Sequence, residues 1–223
     1  MTEEHTLPTI QPIRQRILIP LAIAVLVIFH LVGFWGLQFS SHPQDYQSLT
    51  PLNLLLTVAL LFSFHKDWDS TFITFIVVVV VAGFTAELIG IHTGLFFGDY
   101  SYGESLGVKL WQVPLLIGVN WLLLVYVTGQ IANYVGTSVW LKSLVGALLM
   151  LLLDIFLEPV ATKYDFWKWA GGEIPDSNYI GWLVLSFLLQ FYYHRILIFK
   201  QNPLSIYVYV VQLFFFICLY MFL

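Results

Sequence analysis

Apolar residues run in long blocks broken by short polar stretches. Seven blocks are candidate helices, near 17–37, 50–65, 70–91, 112–134, 140–159, 179–200 and 203–223. A membrane-spanning helix needs about 20 mostly apolar residues. The second block is the shortest, and the sixth carries His194 and Arg195 near its end. None alternates with the period of two that a strand or a membrane barrel requires, and the blocks leave no room for strands. The pattern predicts an all-α protein, a polytopic membrane bundle of about seven transmembrane helices. It forms one domain over 1–223 and sits in the cell membrane. The opening stretch MTEEHTLPTIQPIRQR is polar, and no small-residue cleavage site follows the first block, so that block reads as a retained helix.

Basic residues give the direction. Arg14, Arg16, Lys66, Lys142, Arg195 and Lys200 fall on one side of the seven blocks, and Lys109, Lys163 and Lys168 on the other. The positive-inside rule then places the N-terminus inside and the C-terminus outside. Two outer connections are long and aromatic, 92–111 and 160–178. Each follows a helix with a carboxylate near its outer end, and each precedes a helix with an early Trp. The arrangement resembles a degenerate parallel repeat.

Composition sharpens the class. Of 223 residues, 59% are hydrophobic, 17% aromatic and only 10% charged, and mean hydropathy is +0.84. A soluble domain carries about 25% charged residues, so soluble enzymes and disordered chains are excluded. The net charge of -4 and the lack of a basic patch speak against nucleic acid as a partner. The single cysteine, Cys218, rules out an intrachain disulfide and a cysteine-based zinc site.

Three carboxylates fall inside the blocks: Glu87 in VVVVVAGFTAELIG, and Asp154 and Glu158 in ALLMLLLDIFLEPVA. An ionisable group at mid-membrane costs roughly 2.5–3.5 kcal/mol on insertion scales and is a functional candidate by default. Asp154 and Glu158 share a helix face at i, i+4. Pro159 is expected to end or kink that helix. All three carboxylates are expected in the outer half, whereas the inner half offers only Arg195. The bland alternatives are interfacial caps for Glu87 and Glu158, and an acceptor between helices for Asp154. The functional alternative is acid–base chemistry. The histidines are scattered without metal-ligand spacing, although Glu87, His92, Asp154 and Glu158 would together suit a hard cation. No nucleotide-binding or hydrolase signature is present. The tryptophans and tyrosines near 167–182 are denser than an interfacial belt requires, and aromatic faces stabilise cations.

Taken together, these residues resemble the carotenoid biosynthesis protein family of carotenoid end-group hydratases, of the bisanhydrobacterioruberin and γ-carotene hydratase types. The resemblance covers roughly 84–195. Its first block runs from Glu87 through Gly90, Gly94, Phe97, Gly98 and Tyr100 to Tyr102, followed by Val113-Pro114 and Trp121. The second is Asp154 to Ala161 with Phe166-Trp167-Lys168-Trp169, and the third Ile174 to Trp182. Where some relatives have Asp before Pro-Val-Ala, this chain has Glu158.

The resemblance implies hydration of the terminal C1,C2 double bond of an acyclic or monocyclic carotenoid of the lycopene or γ-carotene type. The carotenoid would be taken from the bilayer, with water as co-substrate and no cofactor or metal. For that chemistry the expected catalytic residues are Glu87, Asp154 and Glu158, with Asp154 or Glu87 as the acid and Glu158 orienting the water or acting as its base. Substrate-binding roles then go to His92, Asp99, Tyr100, Tyr102, Trp121, Trp167, Trp169, Asn178 and Trp182. The competing expectations are a carotenoid end-group cyclase, which starts with the same protonation, a non-catalytic carotenoid-binding membrane protein, and a transporter.

Overall fold

A computed structural model describes residues 10–223, with side chains from residue 17 onward. The side chains of Arg14 and Arg16, which weigh in the charge assignment, lie outside the described residues. The chain is an all-α membrane bundle. Its helices are α1 (Ile10–Phe39), α2 (Pro43–Gln47), α3 (Thr50–Ser63), α4 (Ser70–Thr93), α5 (Leu115–Ala132), α6 (Val139–Lys163), α7 (Asp176–Arg195) and α8 (Ser205–Met221). Five segments are long and apolar enough to cross a membrane: Ile17–Phe39, Pro43–Ser63, Ser70–Thr93, Leu115–Val135 and Val139–Lys163. The sixth block corresponds to α7, whose Asn178, Ser186, Gln190 and His194 lower its apolarity. The seventh forms a shorter apolar helix, Ser205–Met221.

Local chemistry sets the helix ends. Asp69 caps α4 by accepting from the Phe72 N–H at 2.8 Å, and Gly94 closes it with a left-handed φ of 68° that an L side chain rarely adopts. Two expectations are corrected here. Pro159 does not end α6, which continues to Lys163. A helical proline forfeits one backbone bond and crowds the carbonyl four residues back, and four residues from the helix end α6 tolerates this. The sixth helix spans 176–195 rather than 179–200. Asp176 in its first turn suits the helix dipole. The chain turns extended at Ile196, whose carbonyl accepts from Lys200 Nζ at 2.7 Å.

Strands occur after all, in the connections rather than the spans. They are β1 (Tyr100–Tyr102), β2 (Lys109–Leu110), β3 (Val113–Pro114) and β4 (Trp167–Trp169). β2 and β3 form a hairpin within one connection. β1 and β4 pair antiparallel between the two long connections, with Tyr100 opposite Trp169 and Tyr102 opposite Trp167. Alternation within three residues is too short a signal to read from sequence. Beneath this cap α4 packs on α5 and α6 on α7. α5 is the central helix, with Trp121, Leu123, Val125, Tyr126 and Val127 fully buried.

Candidate functional site

Glu87 lies near the end of α4, buried, with all its hydrogen-bond partners from the next stretch of chain. Its Oε2 accepts from the hydroxyls of Tyr100 at 2.5 Å and Tyr102 at 2.7 Å, and its Oε1 accepts from Trp121 Nε1 at 3.0 Å. Residues i and i+2 of a strand face the same side, so the Tyr-Ser-Tyr of β1 aims both hydroxyls at one carboxyl. Burial, followed by the neighbouring Glu87 charge, pushes both tyrosines above their usual range, and they stay neutral donors.

Glu158, buried on α6, is held in the same manner. Its Oε2 accepts from Trp167 Nε1 at 2.9 Å and Trp169 Nε1 at 3.0 Å, both from β4. Its Oε1 accepts from Asn178 Nδ2 at 3.0 Å, and that amide nitrogen also reaches Asp154 Oδ2 at 3.2 Å. Asp154 Oδ1 has no partner. Among the described residues, no cationic side chain pairs with the three carboxyls. The ion pairs among the described residues are Lys109–Glu104 and Lys168–Asp165, both at the surface.

The two halves of the site mirror one another. Each consists of a helix carboxylate, a short strand that supplies two aromatic donors, and a Trp near the start of the following helix. The β1–β4 register joins the strands, and Trp121 stacks on Trp182 with centroids 4.3 Å apart. The same parts thus recur in the same order in both halves, as the sequence pattern leads one to expect. Left-handed backbone at Phe96 (φ 70°) and Asp165 (φ 58°) bends both connections over the site. Non-glycine residues held there mark places where the surroundings override local preference.

Between the halves lies a cavity of about 20 Å³, walled by Glu87, Glu158, Asn178 and the aromatic donors. That volume holds about one water molecule. Beside it lies a far larger cavity of about 260 Å³ among α1, α3, α5, α6 and α8, lined mostly by Leu, Ile, Phe and Val. Ile117, Asn120 and Trp167 belong to both walls. A long apolar molecule resting in the large cavity would present one end to the small one.

Nine of the expected site residues are gathered around this small cavity: Glu87, Tyr100, Tyr102, Trp121, Glu158, Trp167, Trp169, Asn178 and Trp182. Asp154 is fully buried but stands behind Glu158 and Asn178, off both cavity walls. His92 and Asp99 are not part of the site. His92 is exposed and its Nε2 meets the Trp111 carbonyl at 3.2 Å, whereas the exposed Asp99 contributes its backbone carbonyl to Ala170. Glu87, His92, Asp154 and Glu158 therefore do not form one ligand set. The half of the bundle away from the carboxyls is more polar than expected. There Gln190 bonds Thr128 at 2.7 Å and His65 bonds Tyr126 at 2.8 Å, both between elements. Sequence reading missed Asn120, the polar residue shared by both cavities. One place after it, the Trp121 signal masks it.

A profile of the family described as carotenoid biosynthesis protein matches residues 49–223. Bisanhydrobacterioruberin hydratase of Haloarcula japonica is 28% identical over 122 residues, which cover 49% of this chain and 40% of that relative. The chain thus matches less than half the length of this relative. No solved structure matches the chain. With a profile match over most of its length and the carboxylate–aromatic blocks assembled into one site, the chain belongs to the carotenoid biosynthesis protein family.

Proposed function

We propose that this protein is a hydro-lyase of the cell membrane that adds water across the terminal C1,C2 double bond of a carotenoid ψ end. The observation that carries the reading is a one-water cavity between two buried carboxyl groups, sharing walls with a large apolar cavity. Hydration of a trisubstituted alkene needs an acid, a water molecule and an apolar berth; two buried carboxyl groups, a cavity of one-water size and the large apolar cavity, side by side, support this reading.

A proton passes from a carboxyl group to C2, leaving a tertiary cation at C1. Water attacks C1, and its surplus proton returns to a carboxylate, so the net change is one added water. Glu87 and Glu158 face the cavity, and on each the Oε1 carries a single hydrogen bond whereas Oε2 carries two. Oε1 is therefore the atom with capacity for proton transfer, one glutamate acting as acid and the other as base. Asp154 acts through Asn178 as a positioning residue. The stacked Trp121 and Trp182 faces, with Trp167, stabilise the developing cation. A cyclase begins with the same protonation, but there an internal double bond quenches the cation; a cavity sized for one water favours water as the nucleophile.

The test is expression in a lycopene-accumulating host with mass analysis of the pigments. Hydration adds the mass of one water per reacted end, and cyclisation adds none. Recovery of lycopene alone, with the protein present in the membrane, would overturn the reading.

A further inference from the structure

The large cavity is less apolar than a hydrocarbon requires. His30 and Gln212, both more than nine-tenths buried, line it with Asn53 and Asn120. The Gln212 Oε1 and Asn53 Oδ1 are buried without a hydrogen-bond partner. His30 spends Nδ1 on the Leu26 carbonyl at 2.8 Å, leaving Nε2 as its remaining polar atom. These side chains come from α1, α3, α5 and α8, so four helices bring amide or imidazole groups to one cavity whose other walls are mostly Leu, Ile and Phe, with Tyr46, Thr50, Thr57 and Trp167 among them. A buried polar group without a partner keeps the full cost of its lost hydration. A purely hydrocarbon occupant would leave that cost in place.

We propose that the large cavity selects an isoprenoid bearing a hydroxyl group, with Asn53 and Gln212 as the residues that recognise it. A hydroxyl both donates and accepts, so it satisfies either orientation of each amide. A keto oxygen satisfies only one. This inference rests on the hydration reading for its isoprenoid, and adds that the molecule held here is an alcohol. The hydroxyl has two sources: one already carried by the substrate, or the one that hydration creates.

Three short isoprenoids with one carbon skeleton separate these cases. Citronellene carries only double bonds. Citronellol keeps the trisubstituted double bond and carries a hydroxyl at the other end in place of the vinyl group. Dihydromyrcenol is citronellene already hydrated at its trisubstituted double bond, the counterpart of the carotenoid C1,C2 bond. Each is titrated into the detergent-purified protein while thermal unfolding is followed, since a ligand that binds the folded state raises Tm with its concentration.

At least one alcohol is expected to reach half-maximal stabilisation at about a tenfold lower concentration than citronellene. Preference for citronellol assigns the hydroxyl to the substrate, and preference for dihydromyrcenol assigns it to the product. Asn53→Leu and Gln212→Leu each reduce the preference, and the wild-type comparison stands whether or not those variants fold. Equal stabilisation by all three compounds overturns the inference. Pigment analysis keeps the two readings apart: a protein that hydrates lycopene yet shows no preference sinks only this inference. One that prefers an alcohol but never adds water sinks only the hydration reading.

Discussion

Trp121 lies nearly flat on Trp182, with 4.3 Å between ring centroids and 19° between planes, while its indole N–H is donated to Glu87 at 3.0 Å. One side chain thus ties the carboxylate of the first half to the aromatic wall of the second. Trp121→Phe keeps a flat ring and removes the donor. The variant is expected to lose about 1 kcal/mol of stability and part of its product yield. Thermal unfolding and pigment quantification check both.

The carboxyl groups themselves give the sharper test. Glu87→Gln and Glu158→Gln each remove a group able to carry the transferred proton. Product is expected to fall by at least about 100-fold with protein still in the membrane. Each amide also turns a donor toward N–H or O–H groups that already donate, so some loss of thermal stability accompanies the change. Asp154→Asn is expected to reduce product strongly through Asn178 and Glu158. Normal pigment from all three variants would defeat the acid–base assignment.

Gly181 tests how tightly the cap is seated. A methyl group added there would stand 2.3 Å from the Phe96 carbonyl oxygen, which is backbone and has little freedom to yield. Gly181→Ala is expected to lift the Phe96–Phe97 turn off α7, cost about 1–3 kcal/mol and lower product. Gly171 has open space around it, and Gly171→Ala serves as the control, with both effects small.

Tyr100 and Tyr102 make alkaline pH informative. Their folded-state values are raised above the ordinary tyrosine value of 10.0, first by burial and next by Glu87. The unfolded chain therefore gives up these protons at lower pH than the folded one. The stabilising contribution is whole below about pH 10, and is lost as pH climbs beyond it. Thermal unfolding between neutral and strongly alkaline pH is expected to show a steep loss there. Tyr102→Phe should make that loss shallower.

Much of this architecture was legible from chain chemistry. Glu87, Asp154 and Glu158 stood out because carboxylates among Val and Leu are costly in a bilayer, and the repeat was visible as carboxylate, aromatic connection and Trp in each half. Helix positions followed from apolar length, but the ends of α7 depended on Pro175, Asp176 and Lys200 rather than on apolarity. The β1–β4 pairing was invisible because it joins distant stretches of chain through three residues each. That pairing decides which candidates converge. It brings Tyr100 and Trp169 over the site, whereas His92 and Asp99, equally plausible by position, are directed elsewhere. Asn53, Asn120 and Gln212 carry no local signal, since lone amides in helices acquire meaning only from the cavity they line.

The β1–β4 pairing also dictates an order of assembly. Its strands are separated by all of α5 and α6, so they cannot meet until both intervening helices have been threaded into the bilayer and turned back. Contacts so far apart along a chain form late. The aromatic donors of Glu87 and Glu158 come from the stretch of chain that follows each, so each half can form before the pairing joins the two. The small cavity between the two halves comes into existence only when these strands pair.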